Sequence, residues 1–184
     1  MTFHDRRTSL PAKPSVEIAS PADSIAIAHL NVWAYREFAV DLGPQVWPEL
    51  VRALTSVGAD VDSGAFYVVR SEDGLLGSAA YRPPGSASPA LPSGWASIAL
   101  LAVAPPARRR GVAGSLVEAC AMRAGHDGAP VLAAVVPGYL ESAQALFTRM
   151  GFHREQGLPR RGEQSYWLYR KNLGEPGAGA LEEV

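Results

Sequence analysis

The sequence predicts a mixed α/β domain. Two nearly continuous apolar runs, WASIALLAV (95–103) and VLAAVV (131–136), have the composition of strands buried on both faces. The segment between them carries apolar residues at helical spacing, as a crossover between neighbouring strands requires. Ahead of them, AFYVVR and LLGSAAYR flank the turn SEDG and read as a hairpin.

Taken in order, Val16 to Ala19 form a short first strand. Ser20, Pro21 and Asp23 supply an N-cap, a proline at the first helical position and a short-armed capping box. Ile25, Ala28, Val32, Tyr35 and Ala39 follow at helical spacing, and Trp47, Leu50, Val51 and Leu54 mark a second amphipathic helix. The hairpin comes next, and RPPGSASPALPSG (82–94) reads as an exposed connection. After the first apolar strand, a helix starting near Arg110 presents Val112, Leu116, Cys120 and Ala124 on one side. The second apolar strand leads into a helix from Leu140 to Met150 with Ala143, Leu146, Phe147 and Met150 inward and Gly151 as its cap. SYWLYR is the last strand. The predicted order is βααββ, β-α-β, α-β.

Composition narrows the function. The 184 residues suit one domain, expected over 16–173, between a disordered N-terminus (1–15) and a flexible tail (174–184) rich in Gly and Pro. A formal net charge of −1 gives no general attraction to nucleic acid or acidic lipid. The single cysteine cannot form an internal disulfide, and no CxxC or histidine cluster suggests a metal. The N-terminus lacks the apolar core of a signal peptide, and no apolar run is long enough for a membrane span. A cytoplasmic protein with no nucleic-acid or membrane partner is expected.

The stretch APPARRRGVAGSL (104–116) concentrates the chemistry. A buried strand ends at Val103, two prolines stop it, and a turn of small residues opens a helix. The first amides of a helix lack internal partners, and its dipole favours an anion there. Gly111, Ala113 and Gly114 would let a phosphate approach the backbone. By themselves these residues fit a plain tight turn as well as an anion site, and three arginines fit a solvated charge run.

The wider context resembles a known family. LAVAPPARRRGVAGSLV is similar to motif A of the GNAT family of N-acetyltransferases, V-x-P-x-x-[RQ]-x-x-G-x-[GA], with Val103, Pro105, Arg108, Gly111 and Ala113 in register. SAQALFTRMGF resembles the family's motif B at Ala143, Leu146, Gly151 and Phe152. The upstream NVWAYREF and the βααββ order extend the resemblance to about residues 16–173. It implies the GNAT fold: a mixed central sheet flanked by helices, with two parallel strands splayed apart, here those ending near Val103 and Val135. It also implies acetyl-CoA as acyl donor. The pantetheine arm would bond to the main chain of Leu101, Ala102 and Val103. The pyrophosphate would sit on the turn of Arg108, Arg109, Arg110, Gly111, Val112, Ala113, Gly114 and Ser115. The acceptor would be an amine of a small molecule or protein, and a homodimer is left open.

The catalytic groups depart from the family's habit. Its members often carry a basic glutamate on the strand before motif A, where this chain has Ser97 and Ala99. Many place an acidic tyrosine at the position occupied here by Phe147, and an asparagine where Leu140 stands. Tyr139, just before the motif B helix, is the nearest phenol in sequence. His29, His126 and His153 have no partner at catalytic spacing, Cys120 reads as a buried hydrophobe, and Trp33, Tyr35 and Trp47 read as core in the region where relatives build the acceptor pocket. The catalytic residues are therefore unassigned. Two functions remain: an N-acetyltransferase, and a non-catalytic acyl-CoA-binding module of the same fold.

Overall fold

A computed structural model describes residues 13–62, 65–86, 91–161 and 164–174. Most of the two expected loose ends, and residues 87–90 of the 82–94 connection, lie outside them. β1 (Glu17–Ile18) is followed by a 3-10 turn and α1 (Ser24–Tyr35), then α2 (Ala39–Thr55) and the short α3 (Gly58–Asp62). β2 (Phe66–Ser71), β3 (Gly74–Arg82) and β4 (Ala96–Val103) precede α4 (Val112–His126). β5 (Val131–Pro137), α5 (Glu141–Arg149), β6 (His153–Arg161) and β7 (Gln164–Asn172) complete the order. Among the described residues seven strands form one sheet, β1-β2-β3-β4-β5-β7-β6, and there β4 and β5 are the one parallel pair.

The alternation of β2 and β3 sorts side chains onto two faces. Tyr67, Val69, Ala79 and Tyr81 join the larger core with Val112, Leu116 and Cys120 of α4. Phe66, Val68 and Ala80 join a smaller one with Ile27 of α1 and Val57 and Val61 around α3. The expected inner face of α4 is therefore in place. Gly77 permits its close seat: a Cβ there would stand 2.6 Å from Val112 Cγ1 and 3.1 Å from Leu116 Cδ1. The first turn of α4 thus rests directly on β3.

The capping box forms, with the Ser20 amide and hydroxyl donating to Asp23 Oδ2 at 2.8 and 2.9 Å. These bonds, joined by Arg70, hold the Asp23 carboxyl below its ordinary pKa.

Three local expectations change. The buried side of α1 is Ile27, Leu30, Asn31 and Ala34, while Ile25 is 73% exposed. Apolar residues occur all round this helix, so spacing alone did not fix its phase. Asn31 is inside because its amide donates to the Leu54 carbonyl (3.0 Å) and it accepts from Ser78 Oγ (2.9 Å), tying α1 to α2 and β3. The second helix begins earlier than the Trp47 pattern indicated and is broken at Gly43, ahead of Pro44. β6 has no counterpart in the predicted order. HREQGLPRR lacks apolar alternation, and an edge strand needs none and tolerates proline. No helix among the described residues is long and apolar enough to cross a membrane.

Candidate functional site

The site begins where two parallel strands part. β4 and β5 pair at three positions only, Ala96–Leu132, Ser97–Ala133 and Ile98–Ala134. Beyond them β5 continues to Pro137 against β7, and β4 continues to Val103 against β3. The main chain of 99–103 on one strand and 135–137 on the other therefore faces a gap.

A bulge shapes the β4 side of this gap. Ser78 pairs with Ala102 and Ala80 with Ala99, so β4 holds one extra residue there. Leu100 takes a positive φ of 48°, a backbone state uncommon for a residue with a side chain. The next carbonyl, Leu101, leaves the regular ladder and accepts a 3.1 Å hydrogen bond from the Tyr35 hydroxyl at the end of α1. Burial, with Tyr139 nearby, raises the Tyr35 phenol above its ordinary pKa and keeps it a neutral donor.

At the end of β4, Ala104 and a 3-10 turn (Pro105–Ala107) lead into the arginine turn. Arg109 (φ 62°) and Gly111 (φ 82°) both take left-handed conformations, and Gly111 is the N-cap of α4. The next main-chain bond is Ser115 N–H to the Gly111 carbonyl (3.0 Å). The N–H groups of residues 109 to 114 find no hydrogen-bond acceptor among the described residues. Six consecutive amides, four of them at the positive end of a helix dipole, form a surface suited to an anion.

The expected cofactor residues fall into distinct environments. Ala102, Val112 and Ser115 are buried, whereas Leu101, Val103, Ala113 and Gly114 are half-buried. Arg108 turns away to donate to the Ala34 carbonyl (2.9 Å) and pair with Glu37 (2.6 Å), pinning the turn to α1 and the segment after it. Arg109 and Arg110 are exposed, with no partner among the described residues. The turn also forms one side of a groove of about 770 Å³ that includes Lys13, Pro14, Val69 and Leu76, and Lys13 pairs with Glu118 of α4.

The gap opens into a second cavity of about 550 Å³. Ser97 and Leu100 of β4, Val135 and Pro137 of β5, and Leu50 and Leu54 of α2 line it, with Tyr35, Tyr139 and the Asp60–Arg82 ion pair as its polar groups. Phe38 bridges the two tyrosines, 6.4 Å from the Tyr35 ring and 5.2 Å from that of Tyr139. Burial, then the proximity of Tyr166, raises Tyr139 to about 12. Tyr35, read from spacing as core, is thus a wall of the cavity, while Trp33 is 49% exposed. Phe147 is buried, with Phe152 at 5.0 Å and Tyr169 at 6.2 Å, and lies outside the cavity wall. Cys120 is buried and its thiol is pushed up to about 12 by desolvation. Asp60 and Arg82 were not singled out from the sequence; an Asp and an Arg in separate elements carry no spacing signal.

The sequence matches the family model described as acetyltransferase (GNAT) family over residues 28–152, most of the chain. No curated protein matches it. Among solved structures, a PaiA N-acetyltransferase from Thermoplasma acidophilum in complex with coenzyme A is 12% identical, with a TM-score of 0.67 over 86% of this chain and 98% of that one. The protein yncA from Salmonella typhimurium, solved with its cofactor acetyl-CoA, is 16% identical, with a TM-score of 0.65 over 89% and 96%. A GNAT-family acetyltransferase from Bacillus cereus ATCC 10987 is 19% identical, with a TM-score of 0.64 over 86% and 96%. At these identities the likeness is one of fold.

Proposed function

The chain belongs to the GNAT acetyltransferase family, whose acyl donor is acetyl-CoA, and from that premise we propose that it acetylates a primary amine of a small molecule or protein. The observation that carries this reading is the run of unbonded amides from Arg109 to Gly114 at the end of the splayed strand. When bound, acetyl-CoA supplies a thioester carbonyl already activated toward an amine. The protein's part is to hold and orient it. The amides of 109–114 would take the pyrophosphate, with Arg109 and Arg110 adding charge at the rim, and the main chain of Leu101–Val103, beyond the last β4–β5 pair, would fix the pantetheine arm in the gap. The acceptor would enter through the cavity at Leu100 and Val135. Leu50, Leu54 and Leu100 give that cavity an apolar wall beside the gap.

The non-catalytic reading has one observation in its favour. The ring of Phe147 is packed in the core, so no phenol is presented at that register. Thermal unfolding with CoA and acetyl-CoA, followed by CoA release across a panel of primary amines, separates the alternatives. A thermal shift with both ligands and CoA release with at least one amine support the enzyme. A shift with no release from any amine supports the binding module. No shift with either ligand would remove both.

A further inference from the structure

Acetylation of an amine begins with a proton problem. At neutral pH an alkylamine is an ammonium ion, and its nitrogen has no lone pair for attack until one proton leaves. β4 presents Ser97, Ala99 and Leu100 to the cavity, none of which can take that proton. Among the described residues lining the cavity, Asp60 is the one with a carboxylate.

Three features bring Asp60 there. It sits in α3, a single short turn of helix anchored by buried Val61, and its carbonyl accepts from Ala65 N–H (2.9 Å) at the approach to β2. Its side chain pairs with Arg82, the last residue of β3. Arg82 is in turn the direct cross-strand partner of Ser97. The ion pair thus fixes a carboxylate one strand away from Ser97, one residue before the last β4–β5 pair. Both side chains remain partly accessible, 25% for Asp60 and 32% for Arg82, so the pair is reachable by a ligand in the cavity.

We propose that Asp60 is the carboxylate that receives the acceptor's ammonium group and takes its first proton. The inference rests on the acetyltransferase reading above. In the step, the ammonium gives one proton to Asp60. The freed lone pair forms the new C–N bond as the C–S bond of the thioester breaks, and a second proton from the nitrogen leaves on the sulfur as CoA thiol. Asp60 then returns its proton to water. Arg82 is a positioning residue in this scheme, since it orients the carboxylate without contact to the reacting atoms. The acceptor class that fits is a primary amine on a compact apolar body, with leucines and Val135 around it and the Asp60–Arg82 pair at one end.

Among the described residues, the other ionisable groups on the cavity wall are Arg82 from β3, Tyr35 from α1 and Tyr139 after β5. The test compares wild type with Asp60→Asn and Asp60→Ser, using an amine that the wild type acetylates, from about pH 7 to about pH 10. Both variants should bind CoA as the wild type does and melt within a few degrees of it. At neutral pH kcat/KM should fall by about 100-fold or more, and the deficit should shrink as the pH approaches the amine's own pKa, where free amine is already present. Unchanged kcat/KM, or a loss of the same factor at every pH, would overturn the proposal. A wild type that binds CoA but releases it with no amine would instead sink the acetyltransferase reading beneath it.

Discussion

The two halves of the site are built by opposite means. The arginine turn works through its main chain: six amides, two left-handed residues and a helix start, all within one short stretch of sequence. The cavity beyond the gap works through side chains gathered from α1, α2, α3, β3, β4, β5 and the residues after β5. A main-chain site constrains its residues to be small and its φ values to be special, which leaves a pattern in consecutive letters. A side-chain site can take its groups from any element that reaches it. Coenzyme recognition and acceptor recognition should therefore respond to different substitutions.

The largest effect expected is at Gly77. Gly77→Val would drive side-chain carbon into Val112 and Leu116 beneath the start of α4. Overpacking of this kind costs about 3 kcal/mol and would tilt the amides away from the gap. Thermal unfolding and CoA titration should show lower stability together with weaker coenzyme binding. Intact binding in a destabilised protein would mean that the turn holds its shape independently of its seat on β3.

Tyr35 links the two halves, and its effect is smaller. Tyr35→Phe removes the donor to the Leu101 carbonyl and should cost about 1 kcal/mol. Because burial raises this phenol above its ordinary value, its contribution is present below the unfolded tyrosine pKa of about 10 and is lost as the pH rises past it. The stability difference between wild type and Tyr35→Phe should narrow in that direction. A difference that is flat with pH would show that the hydroxyl is not held in its neutral form. In a working enzyme the KM for acetyl-CoA should rise with little change in kcat, since the variant loosens the segment that orients the donor.

What could be read from the sequence follows the same division. The two apolar central strands, the hairpin, the inner face of α4 and the turn at Gly111 were legible because each is written in adjacent or periodic residues, although β4 is only half-buried at Ser97, at Ala99 to Leu101 and at Val103. The capping box at Ser20 and Asp23 was legible for the same reason. The phase of α1 was not, since a polar residue, Asn31, is buried by bonds to Leu54 and Ser78, both remote in sequence. β6 was missed because an edge strand carries no burial pattern. Arg108, counted from the sequence with the phosphate-facing arginines, spends its guanidinium on Ala34 and Glu37, a contact that only tertiary structure reveals. Asp60 and Arg82 became a unit only through the pairing of β3 with β4 and the placement of α3.

The central claim is that coenzyme is held by the main chain of the turn, separately from the acceptor cavity. Calorimetric titration of CoA into Gly111→Glu and Asp60→Asn tests it most directly. The glutamate would have to adopt a φ of 82° and would bring a negative charge against the amides meant for pyrophosphate. Affinity in Gly111→Glu should fall at least tenfold, about 1.4 kcal/mol, while Asp60→Asn binds CoA as the wild type does. A folded Gly111→Glu with unchanged affinity, or a loss confined to Asp60→Asn, would contradict the account and move the coenzyme away from the turn.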